Sequence, residues 1–123
     1  MTRKEARDAA FKIMFEYIFL KDSALELLAR YYELFEEPGE QKEFLESLVS
    51  GCISSVDEID AKISEYLKSR PIMRISKVSL SALRLAVYEI LYTDLANSIA
   101  INEAVELAKK YEDPAVQSAR YLT

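Results

Sequence analysis

The ten residues LRLAVYEILY, Leu83 to Tyr92, constrain the fold more than any others in this chain. Leu83, Ala86, Val87, Ile90 and Leu91 recur at the three- and four-residue spacing that sets side chains on one face of a helix. Leu85 and Tyr88 widen that face until Arg84 and Glu89 are almost the only polar residues left. A helix that is apolar nearly all round belongs in the middle of a core. The next segment, AINEAVELAKKY from Ala100 to Tyr111, sets Ile101, Ala104, Val105 and Ala108 against Asn102, Glu103, Glu106, Lys109 and Lys110. That pattern predicts a surface helix from about Ile101, packed on the central one across the short connection Thr93 to Ile99.

Two Gly and three Pro in 123 residues leave little material for hairpins, and no two-residue alternation is sustained. The class expected is all-α, a compact bundle of about six to seven helices in one domain spanning residues 1–123. Half the residues are hydrophobic and 30% are charged, as in soluble globular proteins. No apolar run approaches the roughly 18 residues needed to cross a bilayer, and no signal peptide is expected. The single Cys52 lies in an apolar stretch and reads as a small core residue of a cytosolic protein.

The chain has no histidine. With one Cys besides, the usual zinc sites and the Ser-His and Cys-His nucleophilic pairs are excluded. No Gly-rich phosphate loop or nucleophile elbow stands near the carboxylate pairs. An all-carboxylate or lysine-based centre is the remaining enzymatic alternative. The reading is a binding module without catalysis, metal or cofactor.

In chain order, Thr2 and Glu5 have the spacing of a capping box and predict a first helix from Arg3 to about Phe19. Its buried stripe would be Ala6, Ala10, Ile13, Met14, Tyr17 and Ile18. Ser23 and Glu26 repeat the signal for a helix from Ala24 to about Phe35, stopped by Pro38-Gly39. From Glu40 the helical period runs unbroken to about Lys68, predicting one long helix with Gly51 or Asp57 as points of bending. Arg70-Pro71 ends it, Pro71 to Lys77 forms a short connection, and the central helix starts near Val78. Asp113-Pro114 would cap a last helix.

Charge points in two directions. Residues 21–60 hold eleven acidic and three basic side chains, yet Lys68, Arg70, Arg74, Lys77 and Arg84 follow within a stretch free of acids. At the front, Arg3, Lys4, Arg7 and Lys12 outnumber Glu5 and Asp8. A chain of net charge −5 thus carries two basic islands. Such an island is either a solvated helix face or a local grip on a few phosphates. Arg84, in mid-helix among apolar neighbours, needs a buried partner because an unpaired buried charge is very costly. Glu103 and Glu106 are the expected partners, which would make Arg84 and Glu103 structural.

LRLAVYEILY followed by IAINEAVELAKKY resembles the NusB family of bacterial transcription antitermination factors. RKEARDAAFKIMF, Arg3 to Phe15, is similar to the family's arginine-rich opening helix, and VDEIDAKISEYL, Val56 to Leu67, to its middle helix. The resemblance covers nearly the whole chain. It implies two packed helical halves and a protein that binds boxA, a short single-stranded RNA element in ribosomal RNA leader transcripts. It would do so with the small-subunit ribosomal protein also called NusE, in an antitermination complex on RNA polymerase. Carried onto this sequence, the RNA-contacting residues would be Arg3, Lys4, Arg7, Tyr111, Arg120 and Tyr121. Single-stranded RNA is held by cations on phosphates and by aromatic planes against splayed bases, which suits these residue types. The competing reading makes both tyrosines packing residues with a wet hydroxyl.

Arg74, Ile75 and Val78, where the second island meets apolar side chains, are the residues expected to meet the ribosomal protein. Packing at the start of the central helix is the alternative. The family commonly has a proline where Ala96 stands, and its last helix usually continues past the position matched by Thr123. Two further readings stay open: an accessory domain of a ribosomal RNA cytosine methyltransferase, and a protein-interaction module, including a homodimer, without RNA affinity.

Overall fold

The computed structural model describes residues 1–35, 37–67 and 71–112. Among these residues there are six α-helices and no strand: α1 (Arg3–Leu20), α2 (Ala24–Leu34), α3 (Lys42–Ser54), α4 (Val56–Leu67), α5 (Lys77–Tyr92) and α6 (Asn97–Tyr111). Single turns of 3₁₀ helix at Gly39–Gln41 and Ile72–Arg74 lead into α3 and α5. The all-α expectation holds, as does the short connection before α5. The proposed last helix from Asp113 lies outside the described residues.

α5 is the hub, packing against α1, α3, α4 and α6. Val78, Ala82, Leu85 and Ala86 of α5 are buried, along with Ser81, whose hydroxyl donates to the Lys77 carbonyl (2.8 Å). That bond removes the cost of carrying a hydroxyl into the core. α1 begins as its sequence signal requires: the Thr2 hydroxyl accepts from the Glu5 backbone N–H (3.1 Å), and the Glu5 carboxylate accepts from that of Thr2 (2.7 Å). It buries Ala6, Ala9, Ala10, Phe11, Ile13 and Met14. Phe11 and Ala9 widen the stripe expected, while Tyr17 and Ile18 stay half-buried. Ser23 caps α2 by accepting from Glu26 N–H (3.2 Å).

The long helix expected from Glu40 to Lys68 is instead two, separated at Ser55. The Ser54 hydroxyl donates back to the Gly51 carbonyl (3.2 Å), the local bond by which serine bends a helix. Asp57 and Glu58 then occupy the first turn of α4, where negative charge favours a new helix N-terminus. Apolar period alone cannot register such a break, because both segments bury the same kind of residue. Gly51 is dictated by close approach: a Cβ there would fall 2.1 Å from the Tyr88 hydroxyl of α5.

α6 also differs from expectation, in its start and in the face it buries. The N–H groups of Ile99 and Ala100 bond to the Ala96 carbonyl, so the helix opens at Asn97, earlier than expected. Ala100 and Leu107 are buried, whereas Ile101 and Val105 remain 54% and 44% exposed. Ala100 and Ala104 lie beside Ala82 and Ala86 of α5. Small residues let two helix backbones approach closely, and here that outweighs the greater hydrophobicity of Ile101 and Val105.

Candidate functional site

The two helices that carry most of the residues singled out by resemblance, α1 and α6, are bridged by ion pairs. Lys4 Nζ lies 2.9 Å from Glu106 Oε2 and Lys110 Nζ 2.9 Å from Asp8 Oδ1. The Lys4 and Lys110 side chains are still 72% and 62% exposed, so both ammoniums remain open to a second anion. Asp8 is the hub. Its carboxylate also accepts from the Tyr111 hydroxyl (2.8 Å) and sits 3.4 Å from Lys12, one turn along α1.

Burial alone would raise the Asp8 carboxyl, but the hydrogen bonds from Lys110 and Tyr111, with the charges of Lys110 and Lys12, hold it below its ordinary value. A carboxyl lowered on folding contributes stability that is complete above its unfolded pKa, near 4, and is lost as pH falls through the folded value. Asp8→Asn is therefore expected to flatten the acid limb of the stability profile below about pH 4. Urea unfolding across that range measures it, and an unchanged limb would exclude Asp8 as the anchor.

Tyr111 reaches this cluster with its ring stacked on Phe11, centroids 4.6 Å apart and planes 17° from parallel. Burial and the neighbouring Asp8 carboxylate raise its hydroxyl pKa. The tyrosine thus has a packing role, whatever else it contacts. Lys4 and Tyr111 lie on the α1/α6 side. Arg3 turns instead toward α3, where its Nε donates to Gln41 (2.7 Å) and its guanidinium covers the Phe44 ring at 3.8 Å. Arg120 and Tyr121 lie outside the described residues.

Arg7 corrects the sequence reading. Expected among the phosphate-facing cations, it is buried, and its Nε and Nη2 donate to both carboxylate oxygens of Glu89 (3.0 and 2.9 Å). The two side chains are 10% and 5% exposed. A guanidinium so committed cannot meet a phosphate without abandoning a buried carboxylate. Arg84 corrects it again. It does have a partner, but that partner is Asp60 of α4, bound in the same two-pronged way (2.9 and 2.8 Å), and not Glu103 or Glu106. Glu106 is taken by Lys4. Glu103 has neither a hydrogen bond nor an ion pair with any described residue, although the Lys4 ammonium feels its charge.

Of the residues expected at a protein partner, Arg74 is exposed, Ile75 half-buried and Val78 buried in the core, so Val78 is corrected to a packing residue. Near Ile75 opens a groove of about 540 Å³ between α1, α4 and α5, lined by Tyr17, Ile18, Ile72, Leu80 and Asp57 among others. Sequence reasoning missed Asp8, Lys12, Glu106 and Lys110 as a cluster. Only the Asp8–Lys12 spacing of four residues was readable beforehand. Cys52 is fully buried, its thiol pushed up to about 12 by that burial. No group of three or more His, Cys, Asp or Glu suited to a metal occurs among the described residues.

An all-helical scaffold pinned by internal arginine–carboxylate pairs, with lysines gathered around a surface groove, has the build of a binding module. A model of the NusB family matches residues 4–118, and this chain belongs to that family. It is 39% identical over 111 residues to the transcription antitermination protein NusB of Thermoanaerobacter sp. (strain X514), covering 90% of this chain and 79% of the relative. Its identity to the protein of the same name from Listeria monocytogenes serotype 4a (strain HCC23) is 41% over 114 residues, covering 92% and 85%. With that of Clostridium novyi (strain NT) the identity is 37% over 114 residues, covering 90% and 86%. No solved structure was found to match it. Among the described residues, no helix is long and apolar enough to cross a membrane.

Proposed function

We propose that this chain is a cytoplasmic transcription antitermination factor that acts by binding, as one domain over residues 1–123. Its ligand is boxA-type single-stranded RNA in ribosomal RNA leaders, held together with the ribosomal protein NusE within the antitermination complex on RNA polymerase. The observation that carries the reading is membership of the NusB family over residues 4–118, joined to the exposed cations on the α1/α6 side. Lys4, Lys12 and Lys110 are the phosphate contacts on that side, with Arg3 at its edge toward α3; family resemblance adds Arg120 and Tyr121 as RNA contacts. Arg7 supports the face from beneath. The groove lined by Ile75 suits the ribosomal partner through its apolar residues Tyr17, Ile18, Ile72 and Leu80, with the exposed Arg74 next to Ile75 in the chain.

A chain of net charge −5 repels RNA at long range, so it binds weakly alone and the basic partner adds much of the affinity. Salt titration with and without NusE tests this. With three to five phosphates neutralised, log affinity against log salt has a slope of roughly −2 to −3.5. Lys4→Ala flattens the slope by about 0.7, and Arg7→Ala leaves it unchanged because that charge is buried. Equal affinity with and without NusE, or a slope near zero, would overturn the reading.

A further inference from the structure

Between α1 and α6 lies a groove of about 410 Å³ whose lining includes Lys4, Asp8, Tyr31, Glu103, Leu107 and Lys110. Leu107 and Tyr31, both nearly buried, give it an apolar floor, and ammonium groups stand at its rim. Four carboxylates also line it. Three are already engaged: Glu5 accepts from the Thr2 backbone, Asp8 from Lys110 and Tyr111, and Glu106 from Lys4. Glu103 is the fourth. It is half-buried, and its side chain has no hydrogen bond or ion pair among the described residues, only the longer-range attraction of the Lys4 ammonium.

From this arrangement we infer that the groove seats one unpaired guanine of the RNA strand, and that Glu103 is the residue that selects it. The inference rests on the RNA-binding reading given above. A carboxylate offers two acceptors side by side and no donor. Of the four RNA bases, only guanine presents two parallel donors, N1–H and N2–H, on its Watson–Crick edge. That edge is free for recognition when the strand is single. Uracil and adenine bring an acceptor alongside each donor, and cytosine one donor beside an unprotonated ring nitrogen; either acceptor would face a carboxylate oxygen. The base lies against Leu107 and Tyr31, its N1–H and N2–H donate to the two Glu103 oxygens, and its phosphate meets Lys4 or Lys110. Phosphates position the strand and Glu103 supplies the selection.

The probe is a ten-nucleotide oligouridylate carrying one central guanosine, compared by fluorescence anisotropy at low salt with the same strand carrying inosine, which lacks only the N2 amino group. The parent chain is expected to bind the guanosine strand about fivefold or more tightly than the inosine strand. Glu103→Gln brings that ratio to about one without lowering affinity for plain oligouridylate. Glu106→Gln, which releases Lys4, tightens binding of every strand alike and keeps the ratio. A ratio of one in the parent, or a ratio that survives Glu103→Gln, overturns the guanine assignment while leaving RNA binding itself standing. Absence of salt-sensitive binding to any strand overturns both.

Discussion

Arg7→Ala is expected to destabilise the protein by about 3–5 kcal/mol, because it strands the Glu89 carboxylate in the core. Both side chains are almost fully enclosed and share two hydrogen bonds of 3.0 and 2.9 Å. The loss comes from the orphaned charge rather than from any large net value of the pair. Replacing both residues by apolar ones of similar size, Arg7→Met with Glu89→Leu, is therefore expected to be neutral or stabilising. Urea unfolding of the parent, each single variant and the double variant measures the coupling. Residual RNA binding by the double variant, with its salt slope unchanged, would place Arg7 in the scaffold. A slope flattened by a full phosphate contact would return it to the interface.

Phe11→Ala is expected to cost a similar amount, about 3–5 kcal/mol, but for a different reason. Phe11 is 2% exposed and forms the platform on which the Tyr111 ring stacks. Its loss leaves a cavity and removes the stacking that holds the end of α6 against α1. Tyr111→Phe, which keeps the stack and deletes the hydroxyl bond to Asp8, should cost less, about 1.5 kcal/mol. If the two variants unfold at the same urea concentration, the ring contact is not what docks α6.

Local signals read well from the sequence because their physics is local. The capping box at Thr2 and Glu5, the Ser23 cap and the apolar girth of Leu83 to Tyr92 each involve residues within a few positions of one another. The resemblance to the NusB family was equally legible, carried by IAINEAVELAKKY and the basic opening helix. Where the reading failed, one local signal hid another or the deciding contact was distant. The back-bonding of Ser54 onto Gly51 lay beneath an unbroken apolar period. The face of α6 followed the small residues Ala100 and Ala104, though Ile101 and Val105 are the more hydrophobic.

The candidate site divides the same way. Residue type and spacing placed Lys4 among the residues of interest and the family resemblance added Tyr111; the exposed cation and the tyrosine do share one side of the fold. Arg7 looked no different from Lys4 in the chain. What separates them is Glu89, which stands 82 residues away and reaches Arg7 only once α5 lies against α1. Arg84 does need a carboxylate, yet the two expected, Glu103 and Glu106, stand on α6, and packing of α4 against α5 supplies Asp60 instead.

The amino-acid order by itself determined an all-helical protein of the NusB family with α5 at its centre, because helix formation and apolar burial are encoded in near-neighbour spacing. Only the tertiary structure decided which cations are locked inside and which face solvent. Charge partners are chosen by proximity in three dimensions, and a buried guanidinium and an exposed ammonium are spelled alike until the helices pack.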